Sequence, residues 1–340
     1  MAGSSPSGTV LVTGATGYLA GWVIVELLDR GYRVRGTVRD VDRAEPARRA
    51  IVSRSTGPGE LELVRADLLD DEGWADAVRG VDAVLHTASP MPFDATADLI
   101  VSAREGTRRV LTAAARADVR RVVFTSSGVT ANPADPADTA TEEMWAEPSG
   151  RPAHAYPDSK IHAEKLAWEL ADELGLQLTA VLPSFMQGPP VGEPGRAGTI
   201  DVVRRLLDGA MPALPRLGWN IVDVRDEARL HVLALENPIS IGRRYHGSGT
   251  FLWYRDVADI LRARLPEHSR KVPTRQLPDT VVRVMARFNP HLRMIVDELG
   301  ITRDVDNGKA RTELGWTTRD VGTTIVDTAD ALVGVSAAAP

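Results

Sequence analysis

Tyr156 and Lys160 stand four residues apart in the run Tyr156-Pro-Asp-Ser-Lys160. On a helix, positions i and i+4 share a face, so this phenol and ammonium would point into one space. A neighbouring cation favours the tyrosinate and lowers a phenol pKa from its usual value of about 10, which suits a proton donor to a carbonyl oxygen. The same ammonium would hydrogen-bond a nicotinamide ribose. The chain has five tyrosines and four lysines (Lys160, Lys165, Lys271 and Lys309) in 340 residues. A chance Tyr-x-x-x-Lys then has a probability of roughly 0.06, which weakens the reading of an incidental surface pair. A third group comes from Phe124-Thr-Ser-Ser127-Gly, which closes a β-branched run. Ser127 can donate to the same carbonyl, with Ser126 the alternative if the register shifts by one.

A second motif, Gly14-Ala-Thr-Gly17-Tyr-Leu-Ala20, follows an apolar strand and opens a helix. Such a turn lets backbone N–H groups and the helix dipole meet a pyrophosphate. Gly14 permits the tight turn, Gly17 the close approach of phosphate, and Ala20 the packing of helix on strand. The spacing differs from G-x-G-x-x-G, so placement carries the dinucleotide reading. At the end of the second strand an NAD site carries an acid for the ribose 2′-hydroxyl. Val38 occupies that place, Arg39 follows, and Asp40 comes one residue too late. A guanidinium suits a 2′-phosphate, so NADP(H) is expected over NAD(H). Asp67, after the third strand, is placed for the adenine edge or for an ordinary helix cap.

The elements that must position these groups are legible as a rhythm. Apolar strands are expected at 9–13, 33–38, 61–65, 83–87, 121–126 and 177–182, with helices at 17–30, 74–78, 95–117 and 156–174. Strands with near-continuous apolar runs alternating with helices mean a parallel sheet covered on both faces. The expected class is α/β: a doubly wound parallel (Rossmann) sheet whose ligands lie at the carboxyl ends of its strands. Residues 1–183 form the nucleotide-binding domain. Residues 184–340 form a smaller, mainly substrate-binding domain, with 219–240 expected to return to the first sheet.

Composition narrows the classes. Zero cysteine excludes disulfides, thiolate metal sites and a cysteine nucleophile. A net charge of −6 argues against broad nucleic-acid binding. No run of eighteen apolar residues is present for a membrane span, and residues 1–8 do not read as a signal peptide, so a cytoplasmic location is expected. The seven histidines (His86, His154, His162, His231, His246, His268 and His291) show no metal-ligand spacing. His86 is instead expected beside the cofactor. The arginine abundance reads as coding bias. Met91, Pro92, Phe93, Asn132, Phe185, Met186, Met211 and Trp219 flank strand ends or a possible 211–219 lid, and weakly favour an apolar or aryl substrate.

Taken together, these residues resemble the extended short-chain dehydrogenase/reductase family. The likeness covers almost the whole chain: 13–20, Asp67, His86-Thr-Ala88, Ser127, Tyr156/Lys160, Leu182-Pro183-Ser184, Val222-Asp-Val-Arg-Asp226 and the 309–316 segment ending in Trp316. Within it, Thr37-Val-Arg39-Asp40 and Phe124-Thr-Ser-Ser127 are most similar to the dihydroflavonol reductase, cinnamoyl-CoA reductase and aldehyde/ketone reductase branch. The resemblance implies NADPH-dependent reduction of a carbonyl. It places Asn132 with the catalytic set as a substrate-contacting asparagine. It implies further cofactor contacts at Thr16, Tyr18, Leu19, Leu68, Thr87, Ala88 and Ser89, with Pro183, Ser184 and Phe185 at the nicotinamide end. It also implies a possible homodimer through the 95–117 and 156–174 helices. Pro157 and Gln187-Gly-Pro-Pro depart from the pattern. Proline is tolerated in a first helical turn, so the first departure leaves the chemistry intact.

Three other readings compete. A 3β-hydroxysteroid dehydrogenase-like activity is a near neighbour. A nucleotide-sugar epimerase or dehydratase shares the fold, but Gly128-Val-Thr-Ala-Asn132 lacks the aromatic stretch those enzymes carry after the serine. A non-catalytic NADP-sensing regulator would be expected to lack the Tyr-x-x-x-Lys pair that this chain keeps.

Overall fold

The computed structural model describes residues 8–90, 98–192, 198–288 and 296–338. Seven parallel strands form the main sheet: β1 (Thr9–Val12), β2 (Arg33–Val38), β3 (Glu60–Arg65), β4 (Ala83–His86), β5 (Arg121–Thr125), β6 (Gln177–Pro183) and β9 (Arg243–Gly247). Their order is β3-β2-β1-β4-β5-β6-β9. The central strands are apolar on both faces: β4 is buried throughout, as is β6 beyond its first residue. The edge strand β3 instead alternates, leaving Glu60 and Glu62 outward, which keeps an unpaired edge in water.

Two helical layers cover this sheet. On one face α1 (Tyr18–Asp29) and α7 (Val224–Glu236) bury Leu19, Val23, Ile24, Leu27, Leu230 and Val232 against β1, β4 and β5. On the other, α4 (Leu99–Arg116) and α5 (Ala155–Leu174) pack on each other and bury Val110, Leu111, Ala163, Leu166 and Leu170. Between β2 and β3 lies α2 (Val41–Arg54). The periodicity reading misses this helix because it is polar on most sides. Its signal is local: Asp40 accepts from the Arg43 amide as N-cap, ahead of a run rich in Ala and Arg.

A second, three-stranded sheet, β10-β8-β7, is built from β7 (Phe185–Gln187), β8 (Gly218–Asp223) and β10 (Thr250–Trp253). With α6 (Asp201–Leu207), α8 (Tyr254–Arg264) and the C-terminal helix Val321–Ala338 it encloses a separate core around Leu206, Ile221, Leu261 and Ile325. The chain does not divide at one point. Of the 219–240 stretch expected to rejoin the first sheet, the strand part lies in the small sheet and only the helix α7 covers the large one. The strand that rejoins is β9, aligned Val181↔Tyr245 beside β6. The short helix Gly308–Leu314 also returns, and Trp316 is fully buried in the first core with its indole N–H on the Asp226 carbonyl at 2.7 Å. Among the described residues no helix is long and apolar enough to cross a membrane.

Candidate active site

Strand order reverses between β1 and β4, which opens a crevice at their carboxyl ends. The glycine turn lies there. Gly14 has φ +71°, a left-handed conformation, and a Cβ on it would come 3.0 Å from the Ala88 Cβ. A Cβ on Gly17 would come 3.0 Å from the Gly14 carbonyl. Gly17 is the N-cap of α1 and no side chain caps the helix, so its first-turn N–H groups face the crevice without an internal partner. The turn is pinned by Gly14 N–H on the Thr37 hydroxyl (3.0 Å) and Ala15 N–H on the Thr37 carbonyl (2.9 Å). From β4, Thr87 donates to the Thr13 carbonyl and the Ala88 amide donates to the Thr13 hydroxyl at 3.0 Å. Ser89 follows, half-buried. A narrow, side-chain-free, uncapped helix end fits a dinucleotide pyrophosphate.

Several expected cofactor residues have their side chains engaged elsewhere. Thr16 is exposed, and Leu19 is core. Tyr18 donates its hydroxyl to the Gly188 carbonyl at 2.7 Å and packs against both the first and the second core. Trp22, one turn on, donates to the Pro189 carbonyl at 2.7 Å. At Tyr18 and Leu19 it is the backbone amides of the uncapped helix end that are left facing the crevice. Asp67 accepts from the Leu69 amide at 3.0 Å, an ordinary local cap, and Leu68 packs against Gly106 of α4. Arg39 is exposed at the end of β2, and Arg43 pairs with Asp40 at 3.4 Å.

The reactive groups converge at the ends of β5 and α5. Ser127 is buried just past β5 and opens a 3-10 turn, Gly128–Ala131, after which Asn132 lies half-buried. The Ser127 side chain lies close enough to the Tyr156 phenol to act on it. The neighbouring Ser126 is engaged otherwise: its hydroxyl donates to the Glu164 carboxylate. Tyr156 is the second residue of α5 and Pro157 the third, where its missing N–H costs no helical hydrogen bond.

The electrostatics correct the sequence reading. Burial pushes the Tyr156 phenol up, and the neighbouring Ser127 hydroxyl pulls it only partly back. Lys160 does not act as the lowering charge, because it is buried itself and donates to the Thr125 carbonyl at 3.4 Å. Burial takes the Lys160 ammonium down to about 8, with Glu164 acting upward. Tyr156 thus holds its proton through neutral pH, and Lys160 stays largely cationic there. His86 faces Lys160, is held neutral by burial and by that charge (pKa about 3), and bonds the Thr13 hydroxyl at 2.8 Å. It is a packed strand-end histidine. Among the described residues no group of three or more His, Cys, Asp or Glu is arranged to hold a metal.

On the substrate side, Pro183 ends β6 and the buried Ser184 hydroxyl has no hydrogen-bond partner, which fits a polar group arriving from the crevice. Phe185 stacks on Trp219 at 4.6 Å, and Trp219 meets Tyr254 edge-on at 5.0 Å. Strand alternation separates the two neighbours in β7: Phe185 packs with the second core, Met186 with the first, so Met186 does not share the aromatic wall. Met211 packs beside the second core, and Trp219 belongs to β8 rather than to a lid. Met91, Pro92 and Phe93 lie outside the described residues. Sequence reasoning passed over Glu164, Thr130 and Arg244. Arg244 bonds Glu164 across 80 residues, a distance no local spacing reports.

Residues 10–246 match the model of the NAD dependent epimerase/dehydratase family. The chain is 37% identical over 277 residues to cinnamoyl-CoA reductase 1 of Petunia hybrida, covering 80% of this chain and 81% of that one. It is 35% identical over 279 residues to tetraketide alpha-pyrone reductase 1 of Arabidopsis thaliana, covering 79% and 84%. Its structure matches yeast methylglyoxal/isovaleraldehyde reductase Gre2 complexed with NADPH with TM-score 0.79 and 27% identity, covering 97% and 99%.

Proposed function

Since the chain belongs to the extended short-chain dehydrogenase/reductase family, within the NAD dependent epimerase/dehydratase group, we propose that it reduces a ketone or aldehyde to the alcohol with NADPH. Oxidoreductase chemistry with NADP(H) is common ground with its relatives, two of them named reductases and one a reductase complexed with NADPH. The observation that carries the finer reading is that Ser127 just past β5 and the half-buried Tyr156 at the start of α5 come together, the phenol keeping its proton, with Lys160 one helical turn on.

In this reading the turn from Gly14 to Gly17 and the first amides of α1 hold the pyrophosphate, Arg39 meets the 2′-phosphate, and Ser184 and Lys160 orient the nicotinamide end. NADPH, when bound, supplies a hydride to the carbonyl carbon. Ser127 polarises the carbonyl oxygen, and Tyr156 gives it a proton as negative charge develops. The Phe185–Trp219 stack offers a flat apolar wall, so the favoured substrate carries an aryl or other apolar group next to its carbonyl.

The direct test is NADPH consumption by the purified chain with a panel of aryl and alkyl ketones, aldehydes and acyl-CoA thioesters. Cofactor binding without consumption on any member overturns the reading in favour of a sensor. Arg39→Ala should weaken NADPH by roughly 10- to 100-fold, the loss of one charge-assisted pair, and leave NADH nearly unchanged. Equal losses for both cofactors would show that Arg39 contacts no phosphate.

A further inference from the structure

Behind the reactive trio lies a closed polar network that the reduction as described does not use. Glu164 follows Lys160 by one helical turn on α5 and is fully buried. Its Oε1 accepts from Arg244 Nε at 2.7 Å and from Trp168 Nε1 at 3.3 Å. Its Oε2 accepts from Ser126 Oγ and from Arg244 Nη2 at 3.3 Å. Arg244, on β9, is buried too. It donates to the carbonyls of Glu142 (2.7 Å) and Met144 (2.6 Å), lies 3.9 Å over the Trp145 ring, and reaches Thr130 Oγ1 at 3.0 Å. Thr130 Oγ1 in turn donates to the carbonyl of Ser127 at 2.8 Å, and the Thr130 amide donates to the same oxygen at 3.0 Å. Arg244 is therefore two hydrogen bonds from the backbone of Ser127, while its ionic partner is one turn from Lys160.

A buried ion pair is poor evidence of a stability device, since an apolar pair of similar volume often does as well. What distinguishes this one is where its ends attach. We infer that Glu164 and Arg244 form a positioning pair for the reaction, Glu164 supplying the counter-charge of Lys160 and Arg244 holding the Ser127 turn against Tyr156 through Thr130. The inference rests on the reductase reading of Ser127, Tyr156 and Lys160. The groups around Lys160 are consistent with it. Tyr156 on α5 is neutral. His86 on β4 is neutral. From β5 Lys160 meets the Thr125 carbonyl, and the Thr125 hydroxyl bonds His231 of α7 at 2.9 Å; that histidine is also held neutral by burial, and burial pushes the Glu227 carboxyl one turn before it well up. Glu164, one helical turn on and itself paired with the Arg244 guanidinium, is the carboxylate that acts on the ammonium.

Steady-state NADPH oxidation by the full chain with an aryl aldehyde, followed across pH, tests the pair. For the unaltered protein the alkaline limb should fall near the Lys160 value of about 8. Glu164→Gln keeps the shape and removes the charge. It should move that limb to lower pH and reduce kcat about 10-fold or more near neutrality, with KM for NADPH within about twofold. Thr130→Val cuts the link to Ser127 while leaving the ion pair, and should lower kcat with the limb unmoved. A Glu164→Gln protein whose activity falls only in proportion to its folded fraction, with the limb in place, overturns the charge role. Unchanged kcat in Thr130→Val overturns the positioning role, and this milder variant decides that point even if Glu164→Gln does not fold. No turnover by the unaltered chain, or full turnover by Tyr156→Phe, instead overturns the reductase reading and this inference with it.

Discussion

Tyr156→Phe is expected to lower kcat by roughly 10²- to 10⁴-fold, the usual worth of a positioned general acid, while NADPH still binds. The substitution removes one oxygen from a ring held by the first turn of α5, so its effect isolates the proton. Because burial raises the phenol pKa, the donor form is present throughout the neutral range, and Tyr156 should contribute no alkaline limb there in the profile of the unaltered protein. Loss of kcat and kcat/KM together would mark an interaction made in the transition state. A variant that loses only substrate affinity would instead make Tyr156 a binding residue and leave the proton donor to be found elsewhere.

Glu227→Gln should stabilise the fold, and by more as pH rises. Glu227 is fully buried in α7, neither carboxyl oxygen has a hydrogen-bond partner, and a Cβ on Gly247 would fall 2.0 Å from one of them. The carboxyl is thus pressed against bare backbone at the end of β9. Burial, with Asp226 adding like charge, pushes its pKa well up. The folded state keeps a proton that the unfolded chain, with a carboxyl pKa of about 4.3, gives up. Stability from this group is therefore greatest below that pH and declines as pH rises toward the folded value, by at most about 1.4 kcal/mol per pH unit. The glutamine cannot titrate, so the gap between the two proteins in denaturant unfolding should widen from pH 5 to pH 8. A constant gap would mean that Glu227 is ionised and compensated in the folded protein.

These expectations depend on groups that differ in how far sequence reveals them. The strands β1, β4, β5 and β6 were legible because a strand buried on both faces is written as a continuous apolar run. Tyr156 and Lys160 were legible because helical spacing alone brings them together. Ser127 against Ser126 could not be decided from the strand end. What separates the two is a carboxylate 38 residues further along the chain, which takes the Ser126 hydroxyl. Arg244 was invisible for the same reason, since β9 reaches β6 only after the chain has built most of the second sheet. The sign of the Tyr156 shift was misread because sequence spacing shows that a lysine is near, but not that both groups leave water and that the ammonium turns to the Thr125 carbonyl. Helix α2 escaped because its evidence is a cap and a composition, with no apolar stripe to count.

Tyr18 and Trp22 leave the glycine turn on the same helix and hold the carbonyls of Gly188 and Pro189, the segment that carries the chain out of β7. A ligand that tightens the turn and a ligand that tightens this segment thus act on one mechanical unit. Thermodynamic linkage then makes their effects reciprocal: whatever factor one gains from the other's presence must be returned in full. Occupants of the turn and of this segment would then be partners in a single cooperative equilibrium, with the first helix as the shaft between them.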